Sequence, residues 1–273
     1  ARYASEVGGQ LPTKIDWTDS KWVKFQRCRE RWLIEFAAIA TNTARRLKPN
    51  ISVEHQSSTY PLAWQWGVTA GLTEQCDFLQ GDFYGGQLQA SFACKLLYNL
   101  TKNQPFGYET SATYNLGNTY KPKELLRAQA FNAIANSGAF IFIDSIDPIG
   151  TINPAVYKTM GEIFSETKAY DSYLGGKLCQ DVGVYLSTES KFYPQNNAVA
   201  DNVSTNAVHE PLPHAENVIN TIESLIEYNI PYGVITKQNL NDLSKYKIII
   251  LPNVIMMNEA EAQALRKYVA QGG

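Results

Sequence analysis

Apolar residues recur at three- and four-residue steps through Trp22, Phe25, Cys28, Trp32, Leu33, Phe36, Ile39 and Ala40, which predicts a long amphipathic helix to about Leu47. Asp19 or Ser20 offers a capping oxygen to its free N–H groups. Arg45 and Arg46 place cations at its negative end, and Pro49 stops it. Short apolar runs then alternate with helical stretches. Strands are expected over 51–56, 76–84, 105–110 and 139–144. Helices are expected over 66–74, 87–100, 122–137 and from Asn153-Pro154 to about Tyr170, the last with a capping Asn and a first-turn Pro. Strands about 25 to 35 residues apart, each followed by a helix, predict βαβ units and a parallel sheet. The count matches the C-terminal half of a (β/α)8 TIM barrel. The opening helix has no strand before it, so the expectation is a fragment cut from a longer protein and inactive alone.

Near residues 174–177 the pattern changes. A strand over 181–186 is followed by a long Asn-, Ser-, Pro- and Ala-rich stretch over 187–213, expected to be mobile. A helix over 217–228, strands over 231–235 and 247–251, and a helix over 258–270 capped by Asn258 complete a second α/β unit of open, doubly wound character. The expected division is 1–176 for the barrel part and 177–273 for this unit. Its first loop carries no GxGxxG, so no dinucleotide site is expected there.

Composition narrows the chemistry. The chain has 273 residues, 44% hydrophobic and 18% charged, with a formal charge of −2, which makes no electrostatic case for nucleic acid or an anionic membrane. Cys28, Cys76, Cys94 and Cys179 form no CxxC pair, and the three histidines form no HExxH, so neither a metal nor another cofactor is expected. Reduced thiols and the lack of a signal peptide or membrane-length apolar run suggest a cytoplasmic setting.

Polar groups stand where each predicted barrel strand meets its loop. They are Glu54, His55 and Gln56, then Asp82 and Tyr84, then Glu109, then Asp144 with Asp147 beyond. Parallel barrel strands bring these ends to one mouth. Glycoside hydrolysis needs two carboxylates there, one to protonate the leaving oxygen and one to attack the anomeric carbon or activate water. Like charges held close raise one pKa and keep one group protonated. Trp66, Tyr84 and Phe106 offer faces for a sugar ring. Plainer roles stand beside these: a backbone-satisfied strand-end acid for Glu109, a salt bridge for Glu54, a structural hydrogen bond for His55, turn closure for Asp144 and Asp147.

Three stretches carry a family resemblance: residues 106–115, the helix-to-strand run 124–142 beginning Glu124-Leu-Leu-Arg, and residues 153–170. They resemble the end of the catalytic barrel of glycoside hydrolase family 42, in which an aromatic strand ends in the nucleophilic Glu. Residues 178–273 are similar to the start of that family's β-galactosidase trimerisation domain, a flavodoxin-like unit. The phrases Glu54-His-Gln-Ser-Ser58, Gly81-Asp-Phe-Tyr-Gly-Gly86 and Phe142-Ile-Asp-Ser-Ile-Asp-Pro148 look closer to a related group that includes the family 151 α-L-fucosidases. The resemblance implies a retaining glycosidase acting on terminal galactosides or fucosides, without cofactor, in a homo-oligomer such as a trimer. Glu109 is its catalytic residue under family 42, with Glu54, His55, Asp82, Tyr84, Asp144 and Trp66 binding the sugar. Under the fucosidase resemblance Glu109 holds the sugar or acts as acid/base, with Glu54 and Asp82 as rivals for that role. Either way one catalytic carboxylate lies on a fourth barrel strand before Ala1. A non-catalytic carbohydrate-binding or oligomerisation module derived from such a barrel is the alternative.

Overall fold

A computed structural model describes residues 2–14, 16–58, 60, 67–114, 117–191 and 213–273. A short α1 (Arg2–Glu6) precedes α2 (Ser20–Leu47), which Asp19 caps by accepting the Lys21 N–H. A single-turn α3 (Ala70–Thr73) leads into β1 (Gln80–Asp82), α4 (Gln87–Leu100), β2 (Gly107–Ser111), α5 (Lys123–Ala135), β3 (Ala139–Ile143) and α6 (Pro154–Thr167). The three strands pair in parallel in the order β1-β2-β3, so each α-helix between them is a crossover.

The strand expected over 51–56 does not form. The segment runs beside β1, with the Asp77 N–H donating to the Val53 carbonyl at 2.8 Å and the Ser57 N–H to the Gln80 carbonyl at 3.0 Å. Side chains intercept its donors: Asp77 Oδ2 accepts the Val53 N–H at 2.8 Å, and Cys76 Sγ takes the His55 N–H at 3.4 Å. Such local bonds compete with a regular ladder. The helix expected over 66–74 shortens to α3, and Trp66 lies outside the described residues.

The second sheet contains β4 (Val182–Tyr185), β5 (Tyr232–Ile235) and β6 (Ile248–Ile250), all parallel, in the order β5-β4-β6. Between and after them lie α7 (Thr188–Lys191), α8 (Pro213–Glu227) and α9 (Glu259–Ala270). The stretch expected to be mobile opens with α7, and its residues 192–212 lie outside the described part.

One helix serves both sheets. Ala90, Ala93, Cys94 and Leu97 of α4 pack with Leu79, Phe83, Phe106 and Tyr108 of the first sheet. Phe92 and Leu96, on another side of α4, pack with Val182, Val184, Val218, Ile222 and Tyr232 of the second unit. Each fully buried large apolar side chain contributes about 1.5–3 kcal/mol, so α4 ties the two sheets into one core. Alternation along the first sheet divides its faces. Phe83, Tyr108 and Phe140 stack on the helix side, with centroids 5.5 and 6.2 Å apart. Phe106 is fully buried in this layer, which removes it from the aromatic faces expected to meet a sugar. Cys28, Cys76 and Cys94 are buried and Cys179 is exposed, all as free thiols. Among the described residues no helix is long and apolar enough to cross a membrane.

Candidate active site

Register places the acids. Asp82, Glu109 and Ile141 are direct partners on β1, β2 and β3, so their side chains leave the same face of the sheet, opposite the helices. Asp82 ends β1 and Glu109 lies two residues before the end of β2, which puts both near the C-terminal rim. The Phe83 N–H donates to the Glu109 carbonyl at 2.8 Å and ties the two strand ends together.

Each carboxyl meets a different surrounding. Asp82 accepts from Ser58 Oγ at 2.9 Å and from the Tyr84 hydroxyl. Glu109 accepts from the Gln80 side-chain amide. Burial pushes the Glu109 carboxyl above its usual range and the Asp82 charge adds to the rise, while the Gln80 bond opposes it. Glu54 is raised further, to about 7, first by burial and then by the charges of Glu109 and Asp82; the Gln80 backbone works the other way. Its Oε1 is buried with no hydrogen-bond partner. Tyr84 is also raised, by burial and then by its bond to the Asp82 carboxylate, so it stays a donor across the physiological range. Glu54 and Glu109 are thus raised to different extents within one half-buried cluster, the condition that separates acid from base roles.

Other candidates stand apart. His55 is turned toward α2, where its Nε2 lies 2.8 Å from Thr41 Oγ1. That hydroxyl donates its single proton to the Gln75 carbonyl at 3.0 Å, which leaves His55 as the donor in a structural bond. Asp144 follows β3, with both carboxyl oxygens shielded and unpartnered. Asp147 closes its turn, accepting from Thr151 Oγ1 at 2.8 Å. The structure therefore brings together Glu54, Asp82, Tyr84 and Glu109. It adds two residues that strand-end reasoning passed over, Gln80 and Ser58. Gln80 was readable by the period of two, since it lies two residues before Asp82 and shares its face. Ser58 carried no such signal, because its segment forms no ladder.

A polar cleft of about 590 Å³ lies elsewhere, between α2, α3, α7 and the segment after β5. Its charges pair with one another: Arg27 meets Glu189 at 2.6 Å and Glu30 at 3.0 Å, and Lys237 meets Glu189 at 3.0 Å. They form a seam between the two units. Among the described residues, no group of three His, Cys, Asp or Glu is placed to hold a metal ion.

Known proteins share the fold. Residues 181–273 match the family described as the Beta-galactosidase trimerisation domain. Over 256 residues the chain is 25% identical to a β-galactosidase of Geobacillus kaustophilus, covering 84% of this chain and 36% of that protein. It spans about a third of the length of the curated relatives it matches. A GH42 β-galactosidase structure from G. stearothermophilus aligns with a TM-score of 0.73 at 18% identity, over 98% of this chain and 43% of that one. The α-L-fucosidase isoenzyme 2 from Paenibacillus thiaminolyticus aligns with a TM-score of 0.64 at 19% identity, over 88% and 34%. The chain resembles both groups, and its fold is part of a (β/α)8 barrel followed by an α/β unit.

Proposed function

We propose that these residues form part of a retaining glycosidase that removes terminal galactosyl or fucosyl groups, with Glu109 as its catalytic carboxylate. The observation that carries this reading is the register of Asp82 and Glu109 on adjacent parallel strands, with the high-pKa Glu54 beside them. In the family 42 form of the reading, ionised Glu109 attacks the anomeric carbon as the glycosidic bond breaks. In the same step a carboxylic acid gives its proton to the leaving oxygen, and its carboxylate later takes a proton from the water that releases the sugar from Glu109. Glu54 keeps its proton to about pH 7 and, through its unpartnered Oε1, offers a bond to a sugar hydroxyl. Asp82 and Tyr84 present a further acceptor and donor. The division of the chain into a barrel part over 1–176 and an assembly unit over 177–273 belongs to the same reading, as does a homo-oligomer, in keeping with the trimerisation match.

The test uses the whole polypeptide to which these residues belong. Nitrophenyl β-galactoside and α-L-fucoside are expected to discriminate the two sugar classes. A 2-deoxy-2-fluoro galactoside is expected to label the peptide carrying Glu109. A label on another carboxylate assigns Glu109 to binding, and turnover of neither substrate favours the non-catalytic module.

A further inference from the structure

Gln80 stands between the two raised carboxyls of the site. Its side-chain amide donates to Glu109, and Glu54 lies close enough for the Glu109 charge to act on it. The side chain reaches Glu109 by lying across Gly107, its direct partner on β2. A Cβ built on Gly107 would stand 2.7 Å from both Cγ and Oε1 of Gln80, and 3.0 Å from its Cδ. Real Cβ atoms do not come so close, so any side chain at position 107 displaces the amide. Gly107 has no positive φ that would call for glycine. The contact with Gln80 is what the missing side chain makes possible.

We propose that Gln80 is a positioning residue for Glu109, and that Gly107 is the gap in the sheet that lets it act. Gln80 holds one Glu109 oxygen through a neutral donor, with Glu54 near enough to feel the same charge. The inference deepens the function proposed above and rests on its assignment of Glu109. Asp82 and Tyr84 from the β1 side and Glu54 from the 51–56 segment are the titratable groups facing Glu109, while β3 presents the apolar Ile141 at the same register. A hydrogen bond to the ionised form favours that form, so losing it raises the pH at which Glu109 ionises.

The test follows Glu109 by the 13C signal of its labelled carboxyl, assigned by its loss in Glu109→Gln. Gln80→Met keeps the bulk and removes the donor. Gly107→Ala keeps the donor and displaces it. Both are expected to move the Glu109 titration upward. The acid limb of kcat/KM is expected to move with it, at a cost of about tenfold near pH 6, since a bond to a charged group is lost. Combining Gln80→Ala with Gly107→Ala is expected to give the same profile as Gln80→Ala alone, because the clash vanishes with the longer side chain. An unmoved Glu109 titration in Gln80→Met overturns the proposal, as does additivity in the double variant. If Gly107→Ala fails to fold, the Gln80 variants decide. Full activity in Glu109→Gln, together with a shifted Glu109 titration in Gln80→Met, sinks the catalytic reading and leaves the positioning role standing. An inactive Glu109→Gln, together with an unmoved Glu109 titration in Gln80→Met, sinks the positioning role alone.

Discussion

The two sheets are built alike and finished differently. Each has three parallel strands, crossover helices and polar residues at its strand ends. In the second sheet those polar groups close on one another. His214 accepts the Ser187 N–H at 2.8 Å on Nε2 and faces the Pro252 carbonyl at 2.7 Å on Nδ1. Ser190 Oγ accepts from the Ile255 and Met256 N–H groups and donates to the Met256 carbonyl. Tyr185 donates to the fully buried Glu261, which also completes the Asn258 capping box. The strand ends of this unit toward β6 are thus closed by its own loops, and the cleft beside the ends of β4 and β5 is lined by charges that pair across it. In the first sheet the strand ends keep unsatisfied capacity: the Glu54 oxygen has no partner, and three carboxyls repel one another. Polar groups spent on each other stabilise a fold. Polar groups left unmatched cost stability and are available for chemistry.

The sharpest way to break the contrast is Glu109→Gln. Activity on the nitrophenyl glycoside is expected to fall by roughly a thousandfold or more while the melting temperature holds or rises, because a unit-acting catalytic group is lost without a packing defect. An equal loss of both would make Glu109 structural.

In the second sheet the reverse is expected. His214→Ala leaves the Ser187 N–H and the Pro252 carbonyl buried without partners, at a cost of about 2–4 kcal/mol in chemical denaturation. Burial holds His214 below its ordinary value of 6.5. A depressed histidine contributes stability above its unfolded pKa and loses it as pH falls. Melting curves of the parent are therefore expected to drop below about pH 6.5, and those of His214→Ala to lose that step.

Glu54→Gln carries opposite signs for stability and function. The Glu54 carboxyl rises from 4.5 to about 7 on folding, so its contribution is full below pH 4.5 and declines as pH climbs to about 7. The variant is expected to match the parent at pH 4. Above pH 7 it should gain about 1–2 kcal/mol, once solvent screening of a half-buried group is discounted. Weaker substrate binding is expected alongside, read as a raised KM. A variant that is less stable at pH 8 would mean that Glu54 is paired by something else.

The smallest effect separates the last candidate from the cluster. Asp144→Asn keeps the shape of a side chain that has no hydrogen-bond partner and is expected to change stability by less than about 0.5 kcal/mol and to leave kcat/KM unchanged. A large loss of kcat/KM would return Asp144 to the site.

Much of this was legible along the chain. The span of α2 with its Asp19 cap, the span of α4, and the Asn258 cap of α9 follow from local periodicity and capping chemistry, which involve neighbours a few residues apart. Glu109 and Asp82 were readable as acids at the rims of apolar strands. The failures share one cause. Residues 51–56 alternate like a strand, yet the Asp77 and Cys76 side chains take the N–H groups that a ladder would use. His55 sits beside Glu54 in sequence, but alternation sends the two to opposite sides, and Thr41 on α2 claims the imidazole.

The sequence by itself determined that α-helices and parallel strands alternate, where most of them start and stop, and which acids stand at strand ends, because those signals are local. Only the tertiary structure decided which acids meet. Register across β1, β2 and β3 puts Asp82 beside Glu109, burial and the charges of both raise Glu54, and the bare Cα of Gly107 admits Gln80 to its partner. Proton affinity depends on dielectric and on charges a few ångströms away, and those distances exist only after residues far apart in the chain have packed.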